Sequence, residues 1–380
     1  MRKFSIAPSY KRVAIALYLI VCLLFTVKYL MRVGVAATLL GSFVFLVGIG
    51  LVYLFSHRCS RWLLPIMIVY TLLAGILIPV CLPVGTFDVD RWDMIDAFSS
   101  TLFSGDYPYA AEGVTSGNNP AQSPFYFALC LPFWASKWYV GLPLAGLWIY
   151  YLATKKTYNF NSTSTFLLLC SPFLIYETLT CSTIFFNAAL VAAWMLWIKY
   201  APRRDCFFIV IHAIAGGLLL CTRNCFIIPV IILGVMMLRR LPHKGLVILW
   251  GVVVAITFCL LYLPFVYGWG VGTWDAVNPF KVQSEVILST GLMVFLVVGA
   301  LATGYFCRNF SQAMYYGGVW LFISCVLMMI ETSLLVGFDT TFFQSRSDIT
   351  YFILSMPFLM PFIDTSTKTL DNLDPIYDKE

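Results

Sequence analysis

The sequence predicts an all-α protein: a polytopic bundle of transmembrane helices. Three observations carry that prediction. Only 11% of the 380 residues are charged and 61% are hydrophobic, whereas an average soluble domain is roughly 25% charged. Mean hydropathy is +0.87. Apolar runs of about 20 residues, enough to cross a hydrocarbon core, recur along the chain. Such continuous runs satisfy their own backbone groups as helices, whereas a barrel needs alternating strands, and none is visible.

In chain order, the candidate spans are 12–31, 35–55, 62–82, 124–153, 164–176, 182–200, 206–222, 225–238, 246–266, 285–306, 313–331 and 349–363. They imply about 11–13 crossings. The fourth stretch is too long for one span. Pro132 and the Ser136-Lys137 pair divide it into a half-buried or interfacial helix over 124–136 and a true span after it. Arg2, Lys3, Lys11 and Arg12 precede the first run, but no small-residue cleavage site follows, so it is expected to be retained. Residues 1–363 are expected to form one membrane domain, and the polar stretch 364–380 a loose cytoplasmic tail.

With the N-terminus in the cytoplasm, Arg58/Arg61, Lys155/Lys156, Arg203/Arg204, Arg239/Arg240/Lys244 and Arg308 all fall on the cytoplasmic side. Lys28 and Arg32 are exceptions, expected to snorkel from the outer end of the first helix. The net charge of +6 sits in these short clusters. That pattern anchors loops against membrane lipids and excludes a nucleic-acid partner. The twelve cysteines show neither metal spacing nor a disulfide framework. No internal repeat is visible, which counts against an inverted-repeat transporter.

The outer loop 83–123 breaks the apolar pattern. Asp88, Asp90, Asp93, Asp96, Asp106 and Glu112 place six of the eighteen acidic residues there. Acidic groups held between spans mark function by default. In an extended segment Asp88 and Asp90 point the same way. Close carboxylates tend to share a proton, which raises one pKa, and such a group can act as a general base. The alternative is that one of them caps the helix that follows.

That helix, 91–104, is amphipathic. Trp92, Ile95, Phe98, Leu102 and Phe103 recur at helical spacing and suit a membrane surface, leaving Asp93 and Asp96 on or near the polar side. Gly105 suits its C-cap, with Pro108 just beyond. Tyr107, Tyr109 and Tyr126 offer faces for stacking on a sugar, or for anchoring at the interface.

Several other groups are candidates. Arg223 could hold a phosphate bidentately, or anchor an interface. Arg346 could bind phosphate or pair with Asp348. Lys281 is a further phosphate candidate in another outer loop. Glu177 is a second possible base or orienting group. His212 reads as a packed histidine. No His/carboxylate cluster is visible; an Asp-x-Asp pair can hold Mg²⁺ or Mn²⁺ through nucleotide phosphates, but a donor without a nucleotide has less need of one, so no obligatory metal or other cofactor is expected.

Asp88-Val89-Asp90, Asp96-Ala97, Gly105, Pro108-Tyr109 and the aromatic-Pro stretch from Pro120 to Phe127 resemble the first outer loop of GT-C class membrane glycosyltransferases. The match looks closest to the GPI mannosyltransferase I branch and its bacterial relatives. The resemblance implies a GT-C type bundle and inverting transfer of a hexose, mannose first, from a polyprenyl-phosphate carrier. The acceptor would be a lipid- or glycan-linked hydroxyl on the extracytoplasmic side. Asp88 or Asp90 would be catalytic, with Asp96, Glu177 and the three tyrosines near the sugars. The membrane expected is a bacterial inner membrane, or the endoplasmic reticulum in a eukaryote.

This chain departs from the family in placing three spans, not one, ahead of the loop. The family's later Gly-Asn-x-Asp-like segment is reduced to Thr180-Cys181-Ser182 and Asn187. Two other functions compete. An O-antigen-type polymerase or ligase would favour an Arg-rich outer loop, yet Arg91 is the only basic residue of this one. A non-enzymatic lipid or solute transporter would favour charges in mid-span.

Overall fold

The computed structural model describes residues 7–56, 58–82, 86, 91–114, 117–158, 162–198, 206–284, 288–344 and 348–364. All regular structure among them is helical. Three helices precede the acidic loop: α1 (Ala7–Leu30), α2 (Val35–Phe55) and α3 (Leu63–Cys81). The loop carries α4 (Arg91–Ser104), followed by α5 (Pro124–Ala135) and α6 (Gly141–Tyr158). The expected division of 124–153 is present. Lys137, with φ 53°, lies in the turn between its two helices.

The centre of the chain is made of shorter pieces: α7 (Ser162–Leu169), α8 (Pro172–Leu179), α9 (Ile184–Trp197), α10 (Cys206–Leu220) and α11 (Ile227–Arg240). Next come α12 (Lys244–Leu260), α13 (Leu263–Gly268), α14 (Val271–Ala276), α15 (Pro279–Ser284), α16 (Thr290–Phe306), α17 (Phe310–Val336) and α18 (Phe338–Phe342). A 3-10 helix (Ile349–Ser355) leads into α19 (Met356–Leu359) and α20 (Pro361–Asp364).

Among the described residues, five helical stretches are long and apolar enough to cross a membrane: Tyr10–Leu30, Val35–Phe55, Ser60–Cys81, Lys244–Gly268 and Phe310–Val336. A sixth arises if α8 and α9, bent by 115° at their junction, count as one broken span. Among the described residues, Pro124–Ala135, Cys206–Leu220, Thr290–Phe306 and Ile349–Leu359 are apolar helices of 10–17 residues, shorter than those five. Proline is one cause: Pro172, Pro357 and Pro361 each open a new helix, because proline lacks the amide that would continue the preceding one.

α1 has 24 residues, so its ends lie about 36 Å apart. Near its start, Tyr10 meets Tyr315 and Tyr316. The Ser56 and Thr163 hydroxyls bond at 2.9 Å, joining the loop after α2 to the start of α7. The Asp364 carboxylate caps that same start, accepting from the Thr163 and Ser164 amides at 3.1 and 2.9 Å. Residue 364 therefore packs with the bundle instead of beginning a loose tail. Near the far end of α1, Lys28 is 2% exposed. It is buried against the Phe342 ring at 5.8 Å rather than snorkelling.

α4 also corrects the sequence expectation. It packs into protein instead of lying on a membrane surface. Ile95 and Phe98 are buried with Tyr107, Tyr109 and Phe127, and Phe265 and Trp269 cover them. Asp93 is buried too and accepts the Val114 amide at 3.0 Å. Gly105 ends the helix with φ +89°, a conformation that glycine adopts without steric cost.

Candidate functional site

Ionic groups converge at the far end of α1. Lys28, Arg91 and Arg223 are each at most 8% exposed, and Glu177 is fully buried. Burying charge is costly unless it is paired, so each group needs an account.

Arg91 opens α4 and ties the acidic loop to the C-terminal segment. Its Nη2 donates to the Asp348 carboxylate and, at 2.6 Å, to the Thr350 hydroxyl. Asp348 also accepts the Thr350 amide at 2.9 Å, capping the 3-10 helix. Burial pushes the Asp348 pKa up. The Arg91 guanidinium, the Thr350 bonds and the field of Lys28 outweigh that and hold it below the usual carboxylate range.

Glu177 bridges the break between α8 and α9. One oxygen accepts the Phe185 amide at 2.9 Å, satisfying an open donor of the first turn of α9. The other oxygen, Oε1, is buried without a partner. The fields of both Arg91 and Arg223 reach this carboxylate. The break itself holds Cys181 at φ 53°. Ser182 and Thr183 are buried there, and the Thr183 hydroxyl donates to the Tyr126 hydroxyl at 3.0 Å. Irregular backbone at membrane depth survives only where protein or a polar cavity surrounds it.

Arg223 is also left partly unsatisfied. It lies in extended backbone (φ −150°) between α10 and a short 3-10 turn, Asn224–Phe226. Its guanidinium faces the rings of Tyr126 at 5.8 Å and Tyr351 at 5.7 Å. Nε and Nη2 are buried with no hydrogen-bond partner. Leaving even a neutral donor in that state costs about 1–3 kcal/mol, and a charged one more. Asn187, one turn beyond Thr183 on α9, is 1% exposed with both amide atoms unpartnered. Among the described residues, the cations of Lys28, Arg91 and Arg223 thus lie near the carboxylates of Glu177 and Asp348, and unused Arg223 donors lie between aromatic rings. Such a cluster is suited to an anion with several acceptor oxygens.

Among the predicted site residues, Arg223, Glu177 and Tyr126 come together here. Asp88, Asp90 and Arg346 lie outside the described residues. Asp96 is used elsewhere: it accepts from Lys137 Nζ at 2.6 Å, Trp134 Nε1 at 2.7 Å and the Tyr139 hydroxyl at 3.3 Å. Partial burial raises its pKa, but Lys137 and Trp134 bring it below the usual range. It clamps α4 to α5 and to the turn before α6.

Tyr109 is buried among Phe98, Phe127, Phe265 and Trp274, and its hydroxyl donates to the Gln122 carbonyl at 3.2 Å. Tyr107 donates to the Val277 carbonyl at 2.8 Å, and burial pushes its pKa up to about 12. Lys281 is exposed and donates back to the Asp275 carbonyl. These four side chains are therefore engaged in folding the loops around α4 and α14. His212 is packed as expected: Nδ1 accepts from Trp250 at 3.0 Å and Nε2 meets the Trp194 carbonyl at 3.1 Å.

Sequence reasoning missed Lys28 and the structural role of Arg91. Arg91 carried a faint signal as the single basic residue of an acidic loop. Among the described residues, no group of three or more His, Cys, Asp or Glu could hold a metal. Compared with protein-family models, with curated proteins and with solved structures, the chain has no match.

Proposed function

We propose that this chain is an integral-membrane inverting glycosyltransferase of GT-C type. It moves a hexose, mannose first, from a polyprenyl-phosphate carrier to a lipid- or glycan-linked hydroxyl on the extracytoplasmic side. One observation supports the reading above the others: Arg223, buried in a membrane protein, keeps two guanidinium donors unused between two aromatic rings. A phosphate with apolar surroundings and a polar sugar beyond it matches that environment.

In this reaction the acceptor oxygen attacks the anomeric carbon on the face opposite the phosphate. The new bond is carbon to acceptor oxygen. The bond that breaks joins the anomeric carbon to the carrier's phosphate oxygen, which keeps the electron pair. Arg223 stabilises the charge developing on that phosphate. The acceptor proton passes to a carboxylate, Asp88 or Asp90, the second of which directly precedes Arg91 in the sequence. No step calls for an obligatory metal, because the donor carries no nucleotide diphosphate that must be neutralised.

The acid pair gives the direct test. Asp88→Asn and Asp90→Asn are each purified and assayed with radiolabelled polyprenyl-phosphate mannose. At least one variant is expected to lose about 10²–10⁴-fold in turnover, the usual contribution of general acid–base catalysis. Full activity in both would place the base elsewhere. A second reading, transport, draws on the 115° break between α8 and α9, since broken helices also build midplane transport sites. The same assay in sealed vesicles separates the two readings, because a transporter moves the labelled compound across the bilayer without transferring the sugar.

A further inference from the structure

Glu177 performs a structural task that needs an oxygen but not a charge. Its Oε2 accepts the Phe185 amide at 2.9 Å, closing an open donor in the first turn of α9. A neutral oxygen serves such a terminus as well: Ser171 does so for α8, accepting the Leu174 amide at 3.2 Å. Yet the residue here is a carboxylate, fully buried, and among the described residues no cation forms a salt bridge with it. A buried charge without a direct partner is costly, so the charge calls for a reason beyond the cap.

The surroundings supply one. The fields of Arg91 and Arg223 both reach Glu177. The turn that it caps begins at Thr183, whose hydroxyl bonds the Tyr126 hydroxyl at 3.0 Å. The Tyr126 ring in turn lies 5.8 Å from the Arg223 guanidinium, where Nε and Nη2 have no partner. Among the described residues, Lys28, Arg91 and Arg223 are the buried cations of this cluster, and Glu177 and Asp348 are its carboxylates. Arg32 is exposed beside the Tyr29 ring and left to solvent. One unit of positive charge remains. A phosphodiester carries one negative charge and neutralises it. A phosphate monoester, with its second pKa near about 6, carries close to two at neutral pH and overshoots.

We infer that Glu177 sets the charge of the anion admitted at Arg223: a monoanionic phosphodiester is accepted and a dianionic phosphate monoester is disfavoured. Its part in turnover rests on the transfer reaction proposed above. There the bond between the anomeric carbon and the phosphate oxygen breaks, the oxygen keeps the electron pair, and the acceptor proton goes to the base. The carrier phosphate changes from a monoanion to a dianion. The donor matches the cluster and the spent carrier does not, so Glu177 favours release of the product. It acts through Arg223 and touches no reacting atom.

The test needs no transfer. Two probes are titrated into the purified full chain in detergent: farnesyl phosphate, a monoester, and its methyl ester, a diester with the same hydrocarbon chain and one charge fewer. At about pH 7.5, above the second pKa of the monoester, the wild type is expected to bind the diester at least tenfold more tightly. Glu177→Gln keeps an oxygen for the α9 cap and removes the charge. It should tighten the monoester at least tenfold and abolish the preference, at an unchanged melting temperature. Glu177→Asp, which keeps the charge, should keep the preference. Arg223→Met should weaken both probes.

A wild type that binds the monoester as tightly as the diester overturns the inference without any variant. So does a folded Glu177→Gln protein that retains the wild-type preference. The fate of the transfer reaction is read separately. A preference that depends on Glu177, without hexose transfer, keeps this inference and removes the enzyme reading. Hexose transfer that farnesyl phosphate inhibits equally in wild type and Glu177→Gln keeps the enzyme and removes this inference.

Discussion

The residue that fixes the loop to the bundle is Arg91. It joins Asp348 and Thr350 across more than two hundred residues of sequence. Removing one partner of a fully buried pair typically costs about 3–5 kcal/mol. The Asp348 side chain is 35% exposed, so solvent screening reduces the expectation to about 2 kcal/mol. Arg91→Met and Asp348→Asn should each lower the melting temperature, and the double variant should lose clearly less than the sum.

That coupling should also depend on pH in one direction. The folded pKa of Asp348 lies below its unfolded value of about 3.9. Its contribution is therefore complete above that value and is lost as pH falls through the folded pKa. Thermal melts should show the wild-type advantage over Asp348→Asn shrinking below about pH 4. A constant advantage down to pH 2 would mean that the pair adds no charge-dependent stability.

Lys28 shows why sequence stops short at this scale. A cation at the end of an apolar helix looks the same whether it snorkels to water or turns inward. Only Phe342 and Asp348, more than three hundred residues away, decide which. Arg223 stood out in the sequence because it is a cation at the end of an apolar run. That its guanidinium would be left between two aromatic rings was not.

At the scale of elements, close helix packing holds the cluster. Gly146 on α6 meets α9 so closely that an added Cβ would lie 2.7 Å from the Phe186 Cα. No rotamer relieves a clash with backbone. Gly146→Ala should force α6 and α9 apart and cost about 1–3 kcal/mol, the range for overpacking. Because Phe186 adjoins Asn187, transfer activity should fall as well. Differential scanning fluorimetry and the mannose assay check both parts, and a variant as stable and active as the parent would show that the contact is loose.

Several elements were readable in advance. Residues 124–153 were too long for one span, and Pro132 with Ser136-Lys137 marked the division. Gly105 marked the end of α4. The fate of α4 was not readable, because an amphipathic face suits a protein surface as well as a lipid one. The α8–α9 break was legible as the gap between two spans, but its 115° bend was not. It contains neither glycine nor proline, and Cys181 takes the left-handed turn without a sequence signal. Span lengths were overestimated for a related reason. Hydropathy reports what surrounds a segment, and buried helices of any length are apolar.

On the scale of the whole molecule, charge and aromatic chemistry are divided between two ends. Ser56, just after α2, and Asp364 both meet the start of α7 at one end. Lys28, Arg91, Glu177 and Arg223 gather at the other. A bundle held together only by hydrocarbon packing needs no buried guanidinium with free donors. The central claim is that the anion meeting this guanidinium is the phosphate of a lipid-linked sugar.

Single-turnover transfer of labelled mannose tests that claim most directly. Purified wild type and Arg223→Met are compared in vesicles, each saturated with polyprenyl-phosphate mannose and supplied with extracted membrane acceptors. Wild type should transfer label to the acceptor, and Arg223→Met should do so about 10²–10³-fold more slowly, the usual loss on removing one charge-stabilising donor. Equal rates in the two proteins, or label that crosses the bilayer still attached to its carrier, would contradict the account.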